Sequence, residues 1–273
     1  ARSVADAPAL LSAIAGDDPA DPVTTVAATH DFTRWLGSGG LRGKRIGIAR
    51  SYASFHERVD AVFETVLSAL ADAGATLVDE VALPTRDEIR PHELIVMLTE
   101  FKVGLNAYLA SLGPGTPVRT LADVIAFNDA HADRTMPYFG QEILLQAEET
   151  DGLEDRVYQT ALAVSRRLTR DDGIDKAMHE QALDALVAPT SAAPWAIDLV
   201  NGDNRIGGGS SGLAAVSGYA SITVPMGYVS GLPVGLSFIG GAWSDGPLIA
   251  MAHAFEQTLQ ARVPPVPARP FLL

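Results

Sequence analysis

Arg45-Ile-Gly-Ile-Ala49, then residues 57–73 (ERVDAVFETVLSALADA), then residues 76–83 (TLVDEVAL) decide the fold class. The first segment is a short apolar run of the kind a buried strand shows, and the last reads as a second strand ending at Pro84. Between them, Val59, Val62, Phe63, Val66, Leu67 and Leu70 recur at helical spacing and form one apolar stripe. Gly74 follows as the C-terminal stop of that helix. Strand, helix and strand joined by short links make a βαβ unit, which predicts parallel pairing of the two strands.

On the N-terminal side, residues 4–15 (VADAPALLSAIA) predict a helix stopped by Gly16. Residues 17–22 read as an Asp-Pro loop and residues 38–43 as a Gly-rich turn. On the other side, residues 88–112 predict a helix that begins at Pro91, because proline suits a first turn and not an interior. Residues 121–131, 141–149, 155–168 and 175–183 predict four more helices. Residues 185–188, 222–224 and 234–239 are short apolar runs bounded by Gly or Pro, which is a strand signal. Pro225-Met-Gly227 and Gly231-Leu-Pro-Val-Gly235 read as tight turns at strand ends. Residues 247–259 predict a last helix before a Pro-rich tail. The expectation is one layered α/β domain, with strands in 1–84 and 184–273 and helices in 85–183.

The chain's 273 residues are 47% hydrophobic, enough for a large core. A net charge of −13 and the lack of any basic cluster beyond Arg42-Lys44-Arg45 and Arg166-Arg167 argue against a nucleic-acid partner. Cysteine is absent, which removes disulfides, thiolate nucleophiles and Cys-ligated zinc together. His30, His56, His92, His131, His179 and His253 show no i, i+4 pair and no HExxH, so neither a metal nor another cofactor is expected. The apolar runs fall short of the ~20 residues a bilayer-spanning helix needs, so the expectation is a soluble protein with no membrane partner, in the cytoplasm. The chain opens Ala1-Arg2-Ser3-Val4 with no Met and no signal-peptide pattern, as if cut from a longer protein.

Gly207-Gly-Gly-Ser210-Ser211-Gly212 is the most conspicuous motif. Three readings compete. A phosphate cradle of the GxxxxGK[ST] type lacks its lysine. A nucleophilic serine lacks a nearby His or Lys to activate it. The third reading is a Gly-rich turn opening a helix near Leu213, with Ser210 or Ser211 as N-cap.

The chain resembles the C-terminal half of amidase-signature enzymes. The resemblance is carried by Asp184-Ala-Leu-Val-Ala-Pro189-Thr190, Ala214-Ala-Val-Ser-Gly218-Tyr219, Ile222-Thr-Val-Pro225-Met-Gly227, Gly231-Leu-Pro-Val-Gly235-Leu-Ser-Phe-Ile-Gly240 and Ala254-Phe-Glu-Gln257, in that order. Near the start, Ala1–Asp6, Ile14-Ala-Gly16, Asp18–Pro22 and Leu41–Ile48 carry it too. Glu100-Phe-Lys102, Asn106-Ala-Tyr108, Phe127-Asn128, residues 136–142 and Gly207–Ser211 before Ala214 make it most similar to the peptide-amidase branch.

The resemblance implies a mixed sheet layered with helices, and hydrolysis of carboxamides, peptide C-terminal amides included. It also implies a Ser–cis-Ser–Lys mechanism whose residues lie N-terminal to this chain, with no catalytic residue here; the catalytic half is missing and the chain alone is inactive. What remains is the substrate side. Trp195 and Phe139, with Tyr138, are expected to line a pocket, and Gln141, Asn204, Ser210 and Ser211 to offer polar contacts; each aromatic also suits ordinary core packing. The segments 207–212, 136–141 and the turn after Thr190 are expected to converge near Trp195. The expected partners are a small or peptide amide and either the N-terminal half of the enzyme or a second copy. A non-catalytic amidase-like module acting only with a partner chain is the competing reading, and a phosphate-binding enzyme the third.

Overall fold

The computed structural model describes residues 1–21, 23–24, 31–37, 40–204 and 207–265. His30, residue 22 of the 17–22 loop, residues 38 and 39 of the Gly-rich turn, and the end of the Pro-rich tail lie outside the described residues. Pro84–Gly173 and Ile197–Asn204 form one compact unit, and the described residues of 1–83, 174–196 and 205–273 form another.

The second of these holds a five-stranded sheet. Its strands are β1 (Arg45–Ile48), β2 (Thr76–Val78), β3 (Ala185–Pro189), β4 (Ser221–Val229) and β5 (Leu232–Ile239), in the order β2-β1-β3-β5-β4. β1 runs parallel to β2 and to β3, as the βαβ reading requires, while β5 pairs antiparallel with both β3 and β4. The sheet is therefore mixed. Helix α1 (Asp6–Ile14) precedes it, and α2 (Glu57–Asp72) lies between β1 and β2.

α2 shows how the sequence makes the fold. Val59, Phe63, Val66, Leu67 and Leu70 are buried on one stripe. Its end is a Schellman turn: Ala75 N–H donates to the Leu70 carbonyl (3.1 Å) and Gly74 N–H to that of Ala71 (2.9 Å), with Gly74 at φ 97°. Those side chains join Ile46 and Ile48 of β1, Val187 of β3, Val224 and Met226 of β4, and Leu236 and Phe238 of β5 in one core. Phe238 also meets Phe255 edge to face at 5.7 Å. Phe255 belongs to the last helix, Asp245–Leu259.

Two strands differ from expectation. β2 stops at Val78, because Asp79 turns to hold Arg50 at 2.8 Å and Glu80 takes φ 57°, which a strand cannot continue. β4 is longer than residues 222–224. Pro225-Met-Gly227 is no turn but a register shift within it. β4 lies at the sheet edge, where proline's missing N–H is tolerated. The actual turn is Ser230-Gly231, both at positive φ (52° and 79°), the requirement of a two-residue hairpin loop.

In the other unit, α3 (Arg86–Ser111), α4 (Leu121–Ala130), the single turn α5 (Ala132–Thr135), α6 (Glu142–Glu148) and α7 (Arg156–Thr169) follow one another. α3 starts before Pro91, contrary to the expected start. Thr85 and Glu88 form a reciprocal capping box, and Pro91 sits one and a half turns inside, where it removes one intrahelical bond. Among the described residues α3 is the one helix long and apolar enough to cross a membrane by length and composition, a signal the shorter uninterrupted runs hid. Two of its charges are partnered within the unit: Glu100 accepts from Tyr158 Oη (2.8 Å), and Lys102 donates to the carbonyls of Glu148 and Thr150. Burial first, and then Glu100, raise the Tyr158 pKa above its ordinary value. The remaining helices, α8 (Asp175–Glu180), α9 (Ser211–Ser217) and α10 (Asp245–Leu259), belong to the strand-rich unit.

Candidate functional site

The C-terminal end of β3 gathers the polar groups of the strand-rich unit. Thr190 N–H donates to the Gly235 carbonyl at 2.7 Å, extending the β3–β5 ladder by one residue. Its hydroxyl lies 2.9 Å from Ser237 Oγ and 3.4 Å from Thr223 Oγ1, and those two are 3.3 Å apart. Three hydroxyls from three adjacent strands thus meet on one face. Leu236 and Phe238, which alternate with Ser237, point to the core side instead. Gly235 makes the meeting possible, since a Cβ there would stand 2.7 Å from Thr223 Cγ2 and 2.9 Å from Thr190 Oγ1. Sequence reading passed over this trio; the available signal was Ser237, a lone hydroxyl inside the apolar strand VGLSFI.

The Gly-rich loop is clamped onto the same turn. Gly209 bridges Ser191 in antiparallel fashion, Ser210 N–H donates to the Thr190 carbonyl (3.2 Å), and Ser210 Oγ donates to the Pro189 carbonyl (3.0 Å). Gly208 and Gly209 have φ of 106° and 123°. A side chain at Gly209 would approach the Thr190 carbonyl oxygen to 2.8 Å, and one at Gly208 would enter the Phe55 ring. The loop is therefore a fixed backbone surface, with glycine required at two of its positions. α9 opens at Ser211, with Ser210 in the N-cap position as expected. The Ser210 side chain, however, makes no capping bond; its hydroxyl donates to the Pro189 carbonyl. Ser210 is fully buried and Ser211 exposed, so Ser211 is the hydroxyl this loop presents outward.

Trp195, further along the same unit, is 41% exposed. Phe139, Gln141 and Asn204 belong to the helical unit. Phe139 is 77% exposed and its neighbour Tyr138 is exposed too, which sets aside the core-packing reading for both. Asn204 is exposed. Gln141 is committed locally: Asn128 Nδ2 donates to its Oε1 (3.1 Å), while its Nε2 donates to Asp129 Oδ1 (2.7 Å) and the Ile125 carbonyl (3.2 Å). Both amide protons of Gln141 are thus used to brace the start of α6 against α4. Of the three segments expected to converge, the turn after Thr190 and the 207–212 loop are joined directly.

This order of strands and loops, with the hydroxyl cluster and the clamped glycine loop beyond β3, accompanies a match to the family model described as Amidase over residues 1–249. The chain belongs to the amidase family. It is similar to the native peptide amidase of Stenotrophomonas maltophilia, with 45% identity and a TM-score of 0.87 over 97% of this chain and 54% of that one. It is equally similar to a peptide amidase solved with the competitive inhibitor chymostatin: 46% identity and a TM-score of 0.90 over 97% and 54%. A probable amidase of Arabidopsis thaliana is 36% identical over 97% of this chain and 48% of its own length. This amidase chain spans about half the length of the relatives it matches.

Proposed function

We propose that this chain is the C-terminal half of an enzyme that hydrolyses carboxamides, with peptide C-terminal amides as the favoured class. The resemblance to peptide amidases, above 40% identity across nearly the whole chain, carries the substrate class. In this reading a serine hydroxyl, activated through a bridging serine and a neutral lysine, adds to the amide carbonyl. The C–N bond then breaks with proton transfer to the leaving ammonia, and water hydrolyses the acyl-enzyme. All three catalytic groups lie outside the chain, and so does the oxyanion hole that serves them.

What the chain contributes is a rigid wall. The Gly207–Gly209 backbone, Ser211 and the Thr190 hydroxyl face the acyl side of the substrate, and Trp195 of the same unit extends that wall. The clamp of Ser210 on Pro189 and Thr190 supports this assignment, since a wall fixed by backbone contacts holds a substrate in one pose. The chain's second partner is the complementary half or another copy of itself. Exposed Leu94, Met97, Phe101 and Tyr108, spaced three, four and seven apart on α3, support association.

Ammonia release from a C-terminally amidated dipeptide tests the reading. The 273-residue chain is expected to show no turnover, and a longer protein containing it together with the serine and lysine elements to be active. In that longer protein Thr190→Val should raise KM more than it lowers kcat. Turnover by the 273 residues alone that disappears in Ser211→Ala would overturn the proposal and make the Gly-rich loop a nucleophile site.

A further inference from the structure

We propose that Asn201 is a site of spontaneous deamidation, held in check by Asp198. The observation is local and independent of the amidase reading. Asn201 precedes Gly202 in the segment Ile197–Asn204, where residues 201–204 are all exposed and Val200 is 90% exposed. Gly202 has φ 79° in open surroundings and carries no side chain to hinder the backbone nitrogen that must attack. Among the described residues no group accepts a hydrogen bond from that N–H.

The reaction balances without any added reagent. Gly202 N bonds to Asn201 Cγ, the Cγ–Nδ2 bond breaks, and the amide proton of Gly202 passes through water to the leaving nitrogen, which departs as ammonia. The resulting succinimide takes up water at either carbonyl and gives aspartate or isoaspartate. No oxidation occurs. The product carries one more negative charge than the reactant.

Asp198 opposes the first step. Its Oδ1 accepts from the backbone N–H of Val200 and of Asn201, both at 2.9 Å, and its Oδ2 accepts from Asn201 Nδ2 at 3.0 Å. The last bond commits the Asn201 side-chain amide to Asp198, which restrains its approach to the nitrogen of Gly202. The Asn201 backbone N–H, then its side-chain amide, then the Val200 N–H hold the Asp198 carboxyl below the usual carboxylate range, so the latch stays charged at neutral pH. Deamidation would replace the latched donor by a second carboxylate facing Asp198. That loosens the segment carrying Asn204.

The chain's other asparagines serve as internal controls. Asn106 lies within α3 and accepts from Leu121 N–H, and Asn128 lies within α4 with its amide on Gln141. Asn204 is exposed but is followed in sequence by Arg205, and any residue bearing a side chain makes a slower attacking nitrogen than glycine does. The experiment is peptide mapping by mass spectrometry after ageing the 273-residue chain at mildly alkaline pH, with isoaspartate detected separately. The amide-to-carboxyl mass change should appear at Asn201 alone, with both aspartate and isoaspartate among the products. Asp198→Ala should accelerate it about tenfold, and Gly202→Ala should slow it about tenfold. Asn201→Gln, which keeps an amide on a longer arm, should leave the segment unmodified. A mass change located at Asn204, or no change at all, would overturn the site; an Asp198→Ala rate equal to the wild-type rate would overturn the latch.

Discussion

In the strand-rich unit Phe63, Phe238 and Phe255 are all fully buried, whereas in the helical unit Phe101, Phe127 and Phe139 stand exposed. The difference lies in what each long helix turns inward. α2 buries Val59, Phe63, Val66, Leu67 and Leu70 against the sheet. α3 packs mainly on α7, and the residues buried on the two helices are Ile89, Thr99 and Leu109 on α3 and Tyr158, Ala161, Ser165 and Thr169 on α7. Its large apolar groups at Leu94, Met97, Phe101 and Tyr108 remain outside. Full burial of one large apolar side chain is worth about 1.5–3 kcal/mol. The apolar stripe of α2 therefore contributes stability, whereas that of α3 is available surface.

A pair of substitutions breaks that contrast if it is wrong. Phe63→Ala should cost about 3–5 kcal/mol in urea unfolding, because it leaves a cavity in a closed core. Phe101→Ser should stay within about 0.5 kcal/mol and should reduce any self-association seen in sedimentation. Equal destabilisation by the two would mean that α3's apolar stripe is covered in solution.

The same contrast explains what could be read in advance. β1 and α2 were legible because the sequence reports what they bury, Ile46 and Ile48 in a short apolar run and the α2 stripe ending at Gly74, whereas β2, read from residue 76 to 83, stops at Val78. α3 was read with the wrong start because Pro91 drew attention from Thr85-Arg-Asp-Glu88, a capping box that outweighs one missing hydrogen bond. At the site, the 207–212 loop was legible as a turn from its glycines. The clamp on Pro189 and Thr190 was not, because it joins residues about twenty apart and its acceptors are backbone carbonyls, which carry no sequence signal. Gln141 looked like a substrate contact for a related reason: an amide beside aromatics reads the same whether it faces a ligand or, as here, Asn128 and Asp129.

A finer test concerns the polar seam of the helical unit. Ser165 is 3% exposed, and among the described residues its hydroxyl has no hydrogen-bond partner. A buried unsatisfied hydroxyl costs more than the methyl that replaces it, so Ser165→Ala should leave stability unchanged or raise it by up to ~1 kcal/mol. Tyr158→Phe, which deletes the donor to Glu100, should instead lower stability by about 1.5 kcal/mol. Opposite signs at two positions two turns apart on α7 would establish the seam as polar by necessity at one point and by default at the other.

The smallest effects separate the units by pH. In the strand-rich unit, Asp184 accepts from Lys44 Nζ and from Arg45 N–H, both at 2.9 Å, tying the start of β3 to β1. Burial pushes its carboxyl up, but the Arg45 N–H and Lys44 together outweigh this, and the net pKa lies below the ordinary value. A depressed carboxyl contributes stability above its unfolded pKa of about 3.9, and that contribution is lost as pH falls through the lower folded value. The pair is one-third exposed on each side, so solvent screening limits the gain to about 0.5 kcal/mol. Tyr158 in the helical unit behaves in the opposite sense. Its folded pKa is raised, so its contribution is complete below the unfolded value of about 10 and is lost as pH rises through the folded one. The stability difference between wild type and Asp184→Asn should therefore shrink only in acid, and that between wild type and Tyr158→Phe only in alkali. Urea midpoints measured across the pH range decide it, and two differences that fade at the same end would show that the ties at Asp184 and Tyr158 do not titrate independently.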